Sequence, residues 1–305
     1  MTKGVGLVLA VVAGLGVAAQ SRINGELGHR IGDGIVAAVF SFGSGFVVLV
    51  CAIPLMRKGL RAIREALRAR TLLWWQCLGG SCGALLVATQ GLTVATIGVA
   101  VFTVAIVAGQ SISSLIVDRA GLAPGGVRPV TAPRAIGAAL CVVAVVIAVG
   151  DRLSDTQALV LAILPAIAGF GLAWQQAVNG RVYQASGSVL PTTLVNFSAG
   201  TVTLLLLLAI DLAVRGLPHS LPSNLWLYSG GLLGIIFIGV ASAVVGRIGV
   251  LLLGMGMIAG QVIGAVLIDL LLPTASGPPT APTLVGAALA LVAVVFASRP
   301  TKAVT

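Results

Sequence analysis

The chain has 305 residues, 58% of them hydrophobic and 9% charged, with a mean hydropathy of +1.12. A soluble domain carries about 25% charged residues; here apolar stretches near bilayer length recur from end to end, so the chain reads as a polytopic all-α membrane protein and not an outer-membrane barrel. The net charge of +10 fits basic residues gathered in cytoplasmic loops and calls for no nucleic-acid partner.

Ten spans are predicted: 4–26, 34–54, 72–89, 95–117, 134–150, 157–180, 189–210, 224–243, 248–270 and 282–298. The first begins after Lys3 and resembles a secretory leader in its apolar run. It ends in Gly14-Leu-Gly-Val-Ala-Ala-Gln-Ser-Arg-Ile-Asn-Gly25, which returns inside the chain as Gly169-Phe-Gly-Leu-Ala-Trp-Gln-Gln-Ala-Val-Asn-Gly180. Since the second copy closes an internal span, the first is expected to be a retained helix. Each copy carries a Gln and an Asn four residues apart, Gln20 with Asn24 and Gln175 with Asn179, so both amides share one helical face. Arg22, Glu26 and Arg30 follow the same spacing and predict ion pairs on a helix running past the membrane.

The second span carries Ser41-Phe-Gly-Ser-Gly45, matched later by Asn196-Phe-Ser-Ala-Gly200. After it, 57–70 places Leu60, Ile63 and Leu67 on one side of a short helix and Arg57, Arg61, Arg64 and Arg68 on the other. Such a helix could lie on an anionic inner leaflet, or serve only as a positive-inside anchor. Trp74, Trp75 and Trp226 open the third and eighth spans as interface anchors. Ala108-Gly-Gln110 in the fourth span is matched by Ala259-Gly-Gln261 in the ninth. Both sit in small-residue ladders that suit close helix packing, with Gln110 and Gln261 as candidates to line a cavity between the halves. Asp118 corresponds to Asp269. Asp269 is either a proton-exchanging carboxyl near lipid or a charge reaching water at a helix end, while Asp118 beside Arg119 is expected to be solvated. Pro165 predicts a kink in the sixth span.

The offset between matched segments drifts only from 155 to 149, so the chain divides into collinear repeats, 1–150 and 151–305. Five spans per repeat is an odd number, which turns the second repeat over in the membrane. With both termini cytoplasmic, 14 of the 18 basic residues fall inside, and Arg22, Arg30, Arg152 and Arg215 fall outside. Cys51, Cys77, Cys82 and Cys141 lack metal-ligand spacing, and His29 and His219 both fall in loops. No phosphate-binding glycine-lysine loop is present, so ATP-driven transport is not expected, and with two histidines, both in loops, neither a catalytic set nor a metal or cofactor site is expected.

Five plus five inverted spans with short loops resemble the drug/metabolite transporter superfamily. Gln20-x-x-x-Asn24-Gly25, Ser41-Phe-x-x-Gly45, Gly109-Gln110 and Ile116-Val-Asp118-x-x-Gly121 resemble its YdcZ-type branch. The second repeat departs only where Leu272 replaces the last glycine. The resemblance implies a secondary carrier of small organic metabolites or drugs in the inner membrane, with proton-coupled export, as a monomer or homodimer. The residues nominated for substrate contact or gating are Gln20, Asn24, Ser41, Gln110, Gln175, Asn179, Asn196 and Gln261, with Asp269 for proton coupling. The competing expectation is a non-transporting membrane subunit or scaffold whose buried amides only join helices.

Overall fold

A computed structural model describes residues 3–127, 129–150, 156–216, 221–275 and 277–297, with side chains throughout except at 3, 156–159, 215, 239 and 241–253. Arg128, Arg152, His219, Arg299 and Lys302 lie outside the described residues. The elements are α1 (Lys3–Ile31), α2 (Gly34–Cys51), α3 (Arg57–Arg68), α4 (Gly80–Ile97), α5 (Val99–Arg119), α6 (Ala132–Ala148), α7 (Thr156–Ser186), α8 (Val189–Arg215), α9 (Gly230–Leu271) and α10 (Ala281–Ala297). Short 3-10 turns at Ile53–Met56, Trp74–Gly79 and Leu225–Tyr228 lead into α3, α4 and α9. Among the described residues no strand forms.

Seven helical stretches among the described residues are long and apolar enough to cross a membrane, beginning at Gly4, Gly34, Trp74, Val99, Val160, Val189 and Gly254. Two further apolar helices, α6 and α10, have 17 residues each, about 25 Å of rise and at the short limit for a crossing. The third span extends past its predicted end at 89 to Ile97, because Gln90 and Gly91 remain inside α4. Helix α1 runs to Ile31, and Glu26 accepts from Arg22 at 2.8 Å and Arg30 at 2.7 Å as the spacing predicts.

The predicted break between the eighth and ninth spans is not a gap in helix, since α9 runs for 42 residues. A straight helix of that length would rise roughly 63 Å, twice the hydrocarbon thickness of about 30 Å. Its contacts explain how the length is accommodated. Gly230 packs on Asn24 and Gly234 on Gln20, so this arm runs against the direction of α1. Gly256 packs on Leu7 and Ala10, Gly260 on Val11, and Gly264 on Leu15 and Ala18, so the later arm runs with α1. The direction of α9 relative to α1 therefore reverses between Gly234 and Gly256.

Helices α4 and α5 are joined by Gly98 alone, at φ +82°. That left-handed backbone favours glycine. The first N–H groups of α5 have no partner within their own helix. The carboxylate of Asp269 accepts from Val99 N at 3.0 Å and Ala100 N at 2.7 Å. Asp269 is 3% exposed, so it does not reach water as the helix-end reading allowed. Asp118 is likewise not a free solvated charge: it pairs with Arg134, which anchors the start of α6 to the end of α5.

Helix α3 turns its apolar side inward onto protein, not lipid. Ile63 is buried against Leu72 and Val182, and Gly59 packs on Pro191 and the Ser186 carbonyl. Trp75 does more than anchor, stacking on Trp174 with centroids 6.4 Å apart, while Trp74 and Trp226 remain exposed.

Candidate functional site

The repeated motif brings its polar residues to helix crossings where glycines permit unusually close approach. A Cβ built on Gly231 would stand 1.9 Å from the Ser41 carbonyl oxygen, and one on Gly80 would stand 1.7 Å from that of Asn196. No side chain fits at either position, so α2 meets α9, and α8 meets α4, backbone to backbone. Backbone approach of this kind suits Cα–H···O contacts, which are individually weak.

Two clusters result. In the first, Asn24 Oδ1 and Ser41 Oγ converge on Gly230, and the Gln20 amide lies against Gly234. In the second, Asn179 Oδ1 lies against Gly79 and the Gln175 amide against Gly83, while the backbone of Asn196 covers Gly80. The Asn24–Gly230 and Gln20–Gly234 contacts of one cluster thus have counterparts in the Asn179–Gly79 and Gln175–Gly83 contacts of the other, with the motif copies exchanged. The helix crossings behave in the same way. Gly14 packs on the Met257 carbonyl and Gly169 on that of Ile106; Gly260 packs on Val11 and Gly109 on Ala166.

Between the clusters stand Phe42 and Phe197, matched residues of the two Ser/Asn-Phe motifs. Their rings are 4.9 Å apart at an interplanar angle of 35°, and both are buried. Phe42 is seated on Gly200 and Phe197 on Gly45, a second reciprocal pair. The Gln175 amide and the edge of Phe42 both border Gly83, and the Gln20 amide and the edge of Phe197 both border Gly234. An aromatic pair flanked by one glutamine on each side is therefore the centre of the arrangement.

The two clusters differ in how their polar groups are satisfied. Asn24 is fully buried and donates from Nδ2 to Gln90 Oε1 at 2.6 Å; Gln90 Nε2 donates to Ser21 Oγ at 2.9 Å. Gln90 was missed because the third span was ended one residue before it. It also escapes any search for repeated residues, since Ala241 stands at the equivalent position. The signal available was a lone amide in an otherwise apolar stretch. In the second cluster Gln175 and Asn179 are only partly buried. Four buried atoms, Asn24 Oδ1, Ser41 Oγ, Gln175 Oε1 and Asn196 Nδ2, have no hydrogen-bond partner among the described residues. Leaving a polar atom unsatisfied in such surroundings costs about 1–3 kcal/mol, and each such group calls for an explanation.

The remaining candidates lie elsewhere. Gln110 and Gln261 are partly buried on α5 and α9, next to the glycines that pack on α7 and α1. A cavity of about 510 Å³ among α5, α6 and α7 is lined by Gly109, Ile112, Val142, Val146, Ile167 and Phe170 among others, and neither glutamine lines it. Just beyond the second motif, Arg181 donates to the carbonyls of Gly121, Leu122 and Ala123 at 3.0–3.3 Å, binding the end of α7 to the loop after α5.

One family model matches the chain twice, over residues 5–147 and 160–296, and its description is "Putative inner membrane exporter, YdcZ". No curated protein and no solved structure matches.

Proposed function

Because the chain belongs to the YdcZ family of inner membrane exporters, we propose that it carries a small organic solute outward by alternating access between two inverted repeats, 1–150 and 151–305. Family membership supports reading the chain as a membrane transporter. In this reading α9 supplies two of ten crossings, and both termini are cytoplasmic. The observation that carries the proposal is the reciprocity of contacts: Asn24 with Gly230 and Asn179 with Gly79, Gln20 with Gly234 and Gln175 with Gly83. Two repeats related by inversion give each mouth of the pathway the same hardware, so closing one and opening the other takes similar interactions.

With the N-terminus inside, the Gln20–Asn24 cluster faces the outer leaflet and the Gln175–Asn179 cluster the inner. The outer amides are buried, with Asn24 held by Gln90, whereas the inner ones are partly exposed. This asymmetry supports an inward-facing state, with Phe42 against Phe197 as the central plug. The four unpartnered atoms of the two clusters belong to neutral amide and hydroxyl groups, which can donate and accept. They suit a neutral solute with both donors and acceptors, held beside an aromatic surface. Asp269, with its carboxylate engaged by the start of α5, acts here as a cap and not as the proton carrier.

The test begins with a thermal-shift screen of neutral organic solutes on the purified protein, followed by transport of a stabilising compound in proteoliposomes. Leucine at Gln20 and Asn24 abolishes transport while the protein still inserts and melts cooperatively. Full transport by that double variant would sink the gating role and favour helix-joining amides, the role that the Asn24–Gln90 bond by itself would suggest.

A further inference from the structure

Helix α3 is strongly two-sided, and both of its sides are accounted for by different neighbours. Its apolar side is committed to protein: Ile63 packs with Leu72 and Val182, Leu60 packs against the buried cluster that includes Met56 and Leu194, and Gly59 meets Pro191 and Ser186. Apart from Met56 and Leu72, which flank α3 in the chain, these partners belong to the end of α7 and the start of α8, so α3 is braced against the far half of the chain. Its other side presents Arg57, Lys58, Arg61, Arg64 and Arg68 to the surroundings, all exposed. Arg57, Lys58, Arg61 and Glu65 border a shallow recess of about 280 Å³. Glu65 supplies the one negative charge among the residues of α3.

The segments bracketing α3 fix what the basic face meets. Leu55, in the turn before it, is 82% exposed, and Trp74, just after it, is 70% exposed. Exposed leucine and tryptophan at a helix margin settle at the boundary between headgroup and acyl chain. A basic face held between two such anchors lies at phosphate depth rather than in bulk water. Each Lys or Arg near an anionic leaflet adds attraction of a size that changes affinity on the order of fivefold.

We propose that the exposed face of α3 is a docking surface for the headgroups of anionic phospholipids, and that lipid bound there clamps α3 onto the α7–α8 corner. Lipid binding thereby stabilises the contact between the two halves at the end where Gln175 and Asn179 stand. The occupant is lipid and not a soluble anion, because the exposed residues bracketing α3, Leu55 and Trp74, are apolar.

The experiment uses the full-length protein in neutral detergent. It is titrated separately with phosphatidylglycerol, phosphatidylcholine and inorganic phosphate while the melting temperature is followed. Phosphatidylglycerol raises the melting temperature by several degrees, and the other two leave it unchanged. The R57Q/R61Q/R64Q variant needs on the order of a hundredfold more phosphatidylglycerol for the same shift. Its lysine equivalent, R57K/R61K/R64K, responds like the parent and so separates charge from folding. Equal stabilisation by phosphatidylcholine, an equal response to phosphate alone, or an unchanged titration in the glutamine variant would each overturn the proposal. Should the glutamine variant not fold, the comparison of the three additives on the parent protein still decides it.

Discussion

Asn24 and Gln90, 66 positions apart, meet through a 2.6 Å hydrogen bond with neither side chain exposed to solvent. The bond ties α1 to α4 within one half, and its second amide hydrogen bond, to Ser21, makes Gln90 a bridge between two residues of the same turn of α1.

Replacing Gln90 with leucine removes both bonds and leaves Asn24 Nδ2 buried without its acceptor, at a cost of about 1–3 kcal/mol. Since each 1.4 kcal/mol is a tenfold change in an equilibrium, the Gln20–Asn24 cluster opens in a much larger fraction of molecules. The variant is expected to show faster thiol labelling of a cysteine placed at Gln20, with little loss of cooperative melting. Unchanged labelling would mean that Gln90 contributes packing only.

Gly80 and Gly231 are expected to be intolerant of even one methyl group. Alanine at Gly80 would place its Cβ 1.7 Å from the Asn196 carbonyl, and alanine at Gly231 would stand 1.9 Å from that of Ser41. The helices must separate, with a cost of at least 1–3 kcal/mol from overpacking. Gly43, on the same α2 helix, has nothing within 4 Å of a built Cβ. Alanine there should be neutral or stabilise slightly through helix propensity. Melting curves of the three variants make the comparison, and equal effects at all three positions would contradict the close-approach account.

The Phe42–Phe197 pair predicts a measurable coupling. Each ring truncated to alanine should cost about 3–5 kcal/mol, as buried aromatic deletions do. A double-mutant cycle should return about 0.5–1.5 kcal/mol of interaction between them. In proteoliposomes, the double variant is expected to leak small neutral solutes that the parent retains. Strict additivity, with no leak, would remove the rings from the pathway.

Asp269→Ala strips the cap from the start of α5 and should destabilise the protein by about 1–3 kcal/mol. Asp269→Asn, whose side-chain oxygen can still accept one N–H, should recover part of that loss. If Asn is as damaging as Ala to transport but not to melting, the Asp269 carboxylate serves the coupling chemistry as well as the cap.

The sequence made the class and the polar residues legible because both follow from local rules. Long apolar runs announce crossings, and a repeated Gln-x-x-x-Asn marks the same helical face twice. The family resemblance read from those residues agrees with the family model matched over 5–147 and 160–296. What stayed hidden depends on the third dimension. Gln90 has no repeated counterpart, so duplication could not flag it, and it lies one residue past the predicted end of the third span at 89, although the helix continues to Ile97. The amphipathic pattern of α3 correctly gave two faces but not what covers the apolar one, since Pro191 and Val182 are distant in sequence. Asp269 could be seen as an isolated carboxyl, yet its partners, two backbone N–H groups at Val99 and Ala100, leave no mark on side-chain pattern.

The central claim is that the two repeats face opposite sides of the membrane, and cysteine topology tests it most directly. His29 and Gln184 occupy equivalent positions at the exposed ends of α1 and α7. With the four native cysteines replaced, His29→Cys should react with a membrane-impermeant thiol reagent on intact cells, and Gln184→Cys only after the membrane is opened. If both cysteines react from the same side, the repeats are not inverted and the alternating-access account does not hold.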